Sequence, residues 1–310
     1  MRIAVLDLGT NTFNLLIADV DHQKNYHKVH SSKEAVRLGE GGINQNTITE
    51  EAFKRGLLAL QNHIAKLKTF ECDQVLAFGT SALRGADNGL QFVETVAEKF
   101  DLHIRIIDGD TEAEMIYNGV KLALDLGAEK SLIMDIGGGS TEFIIADQHQ
   151  IFWKKSYPLG VSRLLQWLKP SDPITRDEIF RLKNHLNENL DDLYDACAEH
   201  NIESLVGSSG SFDSLANMIS IHIRNREIPD DQKSFDFETD EYYRIQEMIL
   251  TSNKEQRLGM RGLHRIRVDM IIAAVIMIDL VIEKCNIKKM RRSAFALKEG
   301  VLFNVLKGNL

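Results

Sequence analysis

The 310-residue chain holds only three cysteines, Cys72, Cys197 and Cys285, far apart and in no CxxC arrangement. That excludes a disulfide scaffold and a cysteine-based zinc site, and it predicts reduced, buried thiols in a cytoplasmic protein. Four prolines and no Gly/Ser-rich or low-complexity tract leave no candidate for a flexible linker. Long apolar runs are also missing. The most apolar segment, 270–278, stops at Asp279, and the opening MRIAVLDLG lacks the apolar stretch of a signal peptide. A soluble, intracellular protein with no membrane partner is expected. An excess of basic residues is absent too. Lys and Arg number 37 against 45 Asp and Glu, a net charge of −8. That balance argues against a nucleic-acid partner, but it leaves room for a polyanion held in a local basic cleft with a divalent cation. None of the ten histidines falls in a recognisable triad or metal-ligand spacing. The pair in HKVH at 27–30 lies on a predicted strand, points to opposite faces and reads as surface.

What the chain does contain is a repeat. DLGTNTFNLLIAD, from Asp7 to Asp19, recurs without a gap as DIGGGSTEFIIAD, from Asp135 to Asp147, with five identities. Each copy follows an apolar strand, IAVL or SLIM. Each half therefore carries a strand, an acidic residue, a turn of small and hydroxyl residues, and a second strand. Such a turn aims N–H groups and hydroxyls at one point, as a phosphate cradle requires. Gly9, Thr10, Asn11 and Thr12 form the first candidate cradle, and Gly137, Gly138, Gly139, Ser140 and Thr141 the second. Two cradles face to face would grip a phosphate chain, with Asp7 and Asp135 placed for a cation. Glu142 stands across the second turn from Asp135, where both carboxylates could share Mg²⁺ with phosphate oxygens.

Apolar content of 44% suffices for two cores. The first half predicts strands at 2–7, 13–20 and 26–37, a helix at 48–68 capped by Thr47 or Thr49, a strand at 74–78, a helix at 90–99, a strand at 103–107 and a helix at 111–125. The second half repeats the order with strands at 131–136, 142–147 and 150–156, a helix at 175–198 and a strand at 203–207. Further helices are expected at 238–250, 267–285 and 296–307, with a short strand near 290–294. This is an α/β chain with mixed sheets. The expected domains are 1–125, 126–295 and a C-terminal helical segment 296–310 that packs back on the first, with the boundary near Gly127.

Three further segments could carry chemistry. In AFGTSALRG, Arg84 sits at a loop-to-helix transition suited to bidentate phosphate contact. In DGDTEAEMIYNG, Thr111 and Glu114 fit a capping box, which gives Glu114 a structural task. Glu112 has none; projecting from a first helical turn at a strand end, it could act as a general base on water. In VGSSGSFDSLA, Ser209, Gly210 and Ser211 open a helix and outline an anion or nucleotide site. The basic runs HRIR (264–267) and KKMRR (288–292) read as solvated turns before any role in a groove.

Together DLGTNTFNLLIAD, FGTSALR, DGDTEAEMIYNGV, MDIGGGSTEFIIA, VGSSGSFDSLA and SAFALKEGVL resemble the exopolyphosphatase and guanosine pentaphosphate phosphatase family, over nearly the whole chain and in family order. The resemblance implies two ribonuclease-H-like domains of the superfold shared by actin, sugar kinases and heat-shock ATPases, with the active site in the cleft between them. It implies Mg²⁺-dependent hydrolysis of terminal phosphate from inorganic polyphosphate or from guanosine pentaphosphate. It also implies Glu112 as catalytic base, Arg84 as phosphate ligand and Asp135 with Glu142 as the acidic pair. Two positions depart from the family pattern: Thr111 replaces a frequent second Glu, and Lys298 replaces the Arg of the C-terminal motif. Longer members continue into helical domains similar to HD phosphohydrolases, so a short form is expected to favour shorter chains. A homodimer is the expected assembly. Two other classes remain open at this point. A kinase or ATP-driven switch would need an acceptor site, for which no signature is present. A non-catalytic phosphate-chain sensor would bind without turnover.

Overall fold

The computed structural model describes residues 1–310 except 22–24 and 309–310; the latter two, at the end of the predicted segment 296–310, lie outside the described residues. Sequence order gives β1 (Arg2–Leu8), β2 (Thr12–Val20), β3 (Tyr26–Ala35), α1 (Glu50–Phe70), β4 (Gln74–Gly79), α2 (Ser81–Gly85), α3 (Gly89–Phe100), β5 (Ile104–Ile106) and α4 (Gly109–Ala123). Then follow β6 (Ser131–Ile136), β7 (Thr141–Ala146), β8 (Ile151–Tyr157), α5 (Val161–Leu168), α6 (Arg176–Asn187), α7 (Asp191–Glu199), β9 (Ser204–Ser208) and α8 (Ser209–His222). The chain closes with β10 (Ser234–Phe237), α9 (Thr239–Thr251), α10 (Lys254–Leu258), α11 (Met270–Lys284), β11 (Lys289–Ser293) and α12 (Leu297–Lys307).

Each half builds its own sheet on one plan. The first has the order β3-β2-β1-β4-β5 and the second β8-β7-β6-β9-β11-β10. In both, an antiparallel meander of three strands is extended by parallel pairing, β1 with β4 and β6 with β9. This is the ribonuclease-H-like arrangement expected for the fold class. The repeat is structural as well as textual. In β1–β2 Asp7 pairs with Asn14, and in β6–β7 Asp135 pairs with Glu142. Both turns close on one bond, Gly9 N–H to Thr12 O and Gly137 N–H to Ser140 O, each 3.0 Å.

Three apolar clusters hold the halves. One lies under α1 and α3, one under the helices of the second half, and the third is shared between the sheets. In the third, Val5 and Phe78 from one sheet and Ile133 and Val206 from the other enclose α4 and α12. The two helices meet backbone to backbone. A Cβ on Gly300 would stand 1.6 Å from Met115 O, and one on Gly119 1.9 Å from Ala296 O. Gly300→Ala must push α12 off α4, with an expected loss of about 3 kcal/mol, measured by urea denaturation. A loss under about 1 kcal/mol would show that α12 shifts freely at this contact.

Several expectations need correction. The helix predicted at 175–198 is two helices, interrupted at residues 188–190. No Gly or Pro marks the break; the Asn189 side chain bonds back to His185 O at 2.7 Å and α7 restarts at Asp191. The capping box Thr111–Glu114 does not form. The helix begins at Gly109, two residues earlier than predicted, with Asp108 accepting Thr111 N–H at 2.7 Å, and Glu114 pairs instead with Lys154. Helices α5 and α10 and strand β10 were not predicted. Cys197 and Cys285, distant in sequence, line one small cavity. Among the described residues no helix is long and apolar enough to cross a membrane.

Candidate active site

The two turns face each other across a narrow cleft. The amide N–H groups of Thr10, Asn11, Gly138 and Gly139 donate to no group among the described residues, which leaves four backbone donors for an anion. The loops approach so closely that a Cβ on Gly138 would lie 2.5 Å from Asn11 Nδ2, and one on Gly139 2.6 Å from Ser81 Oγ and 2.7 Å from Thr10 Oγ1. Glycine is required here by proximity, not by backbone angle. Asn11 Oδ1 accepts from Ser162 Oγ at 2.8 Å, tying the first loop to α5. Thr12 and Thr141 begin β2 and β7; the Thr141 hydroxyl is buried and donates to Leu159 O at 3.1 Å.

A cavity of about 130 Å³ between the loops is lined by Asp7, Asp135, Glu112, Lys33, Arg267 and Lys298 among others. Glu112 is buried in the first turn of α4, where Arg84 Nη1 donates to its Oε2 at 2.9 Å and to Ile107 O at 2.8 Å. Arg84 thus pairs with the candidate base and not with its sequence neighbours Asp87 or Glu94. Glu142 is also buried, with Oε1 accepting from Ser156 Oγ at 2.7 Å. Asp135 Oδ2 accepts from Ser208 Oγ at 2.6 Å and Ser209 Oγ at 2.8 Å, and Asp7 accepts from Asn14 Nδ2 at 2.9 Å.

Burial raises the pKa of all four carboxylates, and a neighbouring carboxylate adds to the rise in each. Burial first, then the Glu142 charge, lifts Glu112 well above its ordinary value, against the opposing pull of Arg84. Burial and Asp135 push Glu142 up to about 7. Burial pushes Asp7 up to about 6, despite the bond from Asn14, and burial raises Asp135 despite its two serine bonds. Lys298 is opposed by burial, but Glu299, Asp7 and Asp213 outweigh it and its pKa rises. Its Nζ lies 2.8 Å from Glu299 Oε1.

The donor set suits Mg²⁺. It is made of hard carboxylate oxygens whose pKa burial raises, so a cation there would favour their charged form. No group of three or more His, Cys, Asp or Glu among the described residues forms a cage. Mg²⁺ is ordinarily held by one or two carboxylates with phosphate oxygens and water completing the shell, so this arrangement fits it.

The sequence reading missed part of the site. Arg267, placed among solvated turns, lies half-buried in the cleft over the start of α8. A Cβ on Gly210 would stand 2.1 Å from its guanidinium. Its one side-chain hydrogen bond among the described residues is a long 3.5 Å contact to Ser211 Oγ, so the guanidinium is largely unspent. Lys33 reaches over the cleft from β3. Ser209, by contrast, has its hydroxyl committed to Asp135, and Ser211 is buried. In the other basic run, Arg292 is paired with Asp213. No local signal separates Arg267 from Arg265; only the packing of a short 3-10 turn (Arg265–Arg267) against Gly210 does.

Comparison with known proteins agrees with this geometry. A sequence profile described as the Ppx/GppA phosphatase family matches residues 16–309. A Haemophilus influenzae protein carrying a provisional exopolyphosphatase name is 30% identical over 308 residues, 99% of this chain and 92% of that one. The crystal structure of an exopolyphosphatase from Cytophaga hutchinsonii superposes with a TM-score of 0.96 at 36% identity, over 99% of this chain and 98% of the other. The Aquifex aeolicus PPX-GPPA enzyme shares the fold, with a TM-score of 0.80 at 22% identity over 98% and 99%.

Proposed function

The chain belongs to the Ppx/GppA phosphatase family, a group of phosphate-anhydride hydrolases, and we propose that it removes the terminal phosphate of inorganic polyphosphate as orthophosphate, with Mg²⁺. The observation that carries this reading is Glu112, a buried carboxylate held by Arg84 beside two loops with unspent N–H donors. In the proposed reaction Glu112 accepts a proton from water as the water oxygen bonds to the terminal phosphorus. The bridging P–O bond breaks and its electron pair stays on the shortened chain. Thr10, Asn11, Gly138 and Gly139 orient the phosphoryl oxygens through their amides, and the free edge of Arg84 faces the charge that develops there. Mg²⁺, held near Asp135 and Glu142 with Asp7 behind, would supply further charge neutralisation when bound.

Polyphosphate is favoured over guanosine pentaphosphate by the lining of the inner cavity. None of its described residues is aromatic, and the cations Lys33, Arg267 and Lys298 suit a repeating anion better than a base. The test is a side-by-side rate measurement with short polyphosphate, long polyphosphate and guanosine pentaphosphate in Mg²⁺. A specificity constant for guanosine pentaphosphate about tenfold higher than for short polyphosphate, some 1.4 kcal/mol of transition-state preference, would reverse the assignment.

The carboxylate cluster also predicts a stability profile. Asp7 and Glu142 titrate at about 6 and about 7 in the folded protein, above their ordinary 3.8 and 4.5. The folded state therefore binds more protons than the unfolded chain between those values. Stability must fall as pH rises through that window, and the penalty is complete only above the folded pKa. In metal-free buffer the thermal midpoint should drop between about pH 5 and about pH 8, and the stabilisation by Mg²⁺ should grow over the same range. Calorimetry with and without Mg²⁺ checks both trends; a midpoint indifferent to pH and to Mg²⁺ would remove the cation from this cluster.

A further inference from the structure

A second cavity, of about 590 Å³, opens to solvent behind Arg84. Ser81 and Ser140 line both cavities, so the two adjoin at the loops. Its walls bring together two guanidinium groups from opposite halves of the chain, Arg84 on α2 and Arg163 on α5. Arg163 is fixed by backbone oxygens alone, with Nε donating to Gly139 O at 2.9 Å and Nη1 to Ile43 O at 2.6 Å. Nη2 remains unspent beside Gly85, 3.4 Å from where a Cβ would stand. The one carboxylate that Arg84 pairs with among the described residues is Glu112, which lines the inner cavity.

The other charged groups at this mouth are already engaged. Asp108 caps α4, Asp110 lies 4.0 Å from Lys154 at the exposed rim, and Lys155 pairs with Asp192. Two guanidiniums therefore line one cavity, near enough for the Arg84 charge to act on Arg163, with Asp108 and Asp110 on the α4 side of its wall. After burial, the Arg84 charge is what holds the Arg163 pKa below its usual value. Like charges that act on each other across one cavity are stabilised by a shared anion, and a phosphate presents oxygens to both forks.

We infer that the outer cavity is an orthophosphate site between Arg84 and Arg163, through which product leaves while the shortened chain stays in the inner cavity. The inference rests on the phosphoanhydride reading above. Attack in line by a water on Glu112 places the newly formed orthophosphate on the Glu112–Arg84 side, with the leaving chain opposite. The inner cavity, with Arg267, Lys33 and Lys298, then remains occupied by that chain. The route left to the product passes Ser81 and Ser140 into the outer cavity.

Orthophosphate binding to the whole protein with Mg²⁺, measured by calorimetry, tests the site without turnover. It is paired with product inhibition of short-polyphosphate hydrolysis. Arg163→Met should weaken orthophosphate binding and raise its inhibition constant by at least about tenfold, with KM for polyphosphate changed less than about twofold. Because Arg163 also ties the loops, Gly85→Asp serves as the second variant. It sets a carboxylate beside Nη2, leaves the ties intact, and should produce the same loss. Orthophosphate binding unchanged in both variants would overturn the inference. A KM that rises in step with the inhibition constant would overturn it too, since the cavity would then hold the substrate chain. Failure of the phosphoanhydride reading shows separately, as wild-type protein that releases no phosphate from any polyphosphate.

Discussion

Glu112→Gln protein should fold normally and release orthophosphate from polyphosphate about 10³-fold more slowly than the wild type. The amide preserves the size of the side chain, and its oxygen can still accept from Arg84 Nη1, now 2.9 Å from Glu112 Oε2. What it loses is the capacity to take a proton from water. The substitution also takes one ionisable carboxyl out of a cluster in which burial, then the Glu142 charge, opposes ionisation of Glu112. In metal-free buffer near neutral pH the variant should therefore melt at or above the wild-type temperature. That combination separates a lost base from a damaged fold, which would lower both. Purified variant turning over polyphosphate at the wild-type rate would take Glu112 out of the reaction. A raised KM at unchanged kcat would make it a binding group instead.

How much of this was legible in the sequence depends on whether a residue's role is set locally. The two turns were legible because a turn between paired strands is a local device: Asp, small residues and hydroxyls at fixed spacing suffice, and the matching Gly9 and Gly137 bonds are its consequence. The position of Glu112 at the cleft was legible because the capping pattern failed to employ it, although the real cap proved to be Asp108, three residues before Thr111. Arg163 and Arg267 were not legible. Each sits in a segment with no distinguishing local pattern, and each acquires its position from a long-range contact, Arg163 on the Gly139 and Ile43 carbonyls and Arg267 over Gly210. The same limit explains the elements. Long periodic helices and buried strands were read within a few residues. Strand β10, four residues at a sheet edge, is defined only by its pairing with β11.

Arg84→Met should cost about 10²–10³ in kcat/KM, and Arg84→Lys should recover only part of that loss. Two separate effects combine in the first substitution. Arg84 spends Nη1 on Ile107 O and Glu112, while Nε and Nη2 donate to nothing among the described residues, so that edge is free to meet the phosphoryl oxygens. Losing it removes charge stabilisation where the transition state needs it. Arg84 is also the cation that opposes the raised pKa of Glu112, directly and through the hydrogen bond. Without it the buried carboxyl holds its proton to still higher pH, and a protonated base cannot accept from water. The rising limb of the pH–rate profile should therefore move to higher pH in Arg84→Met and stay near its wild-type position in Arg84→Lys, which keeps the charge and loses the fork. A purely structural role would lower the rate of both variants without moving that limb. If Arg84→Met keeps its kcat/KM within about threefold of the wild type, the guanidinium neither binds the reacting phosphate nor tunes the base.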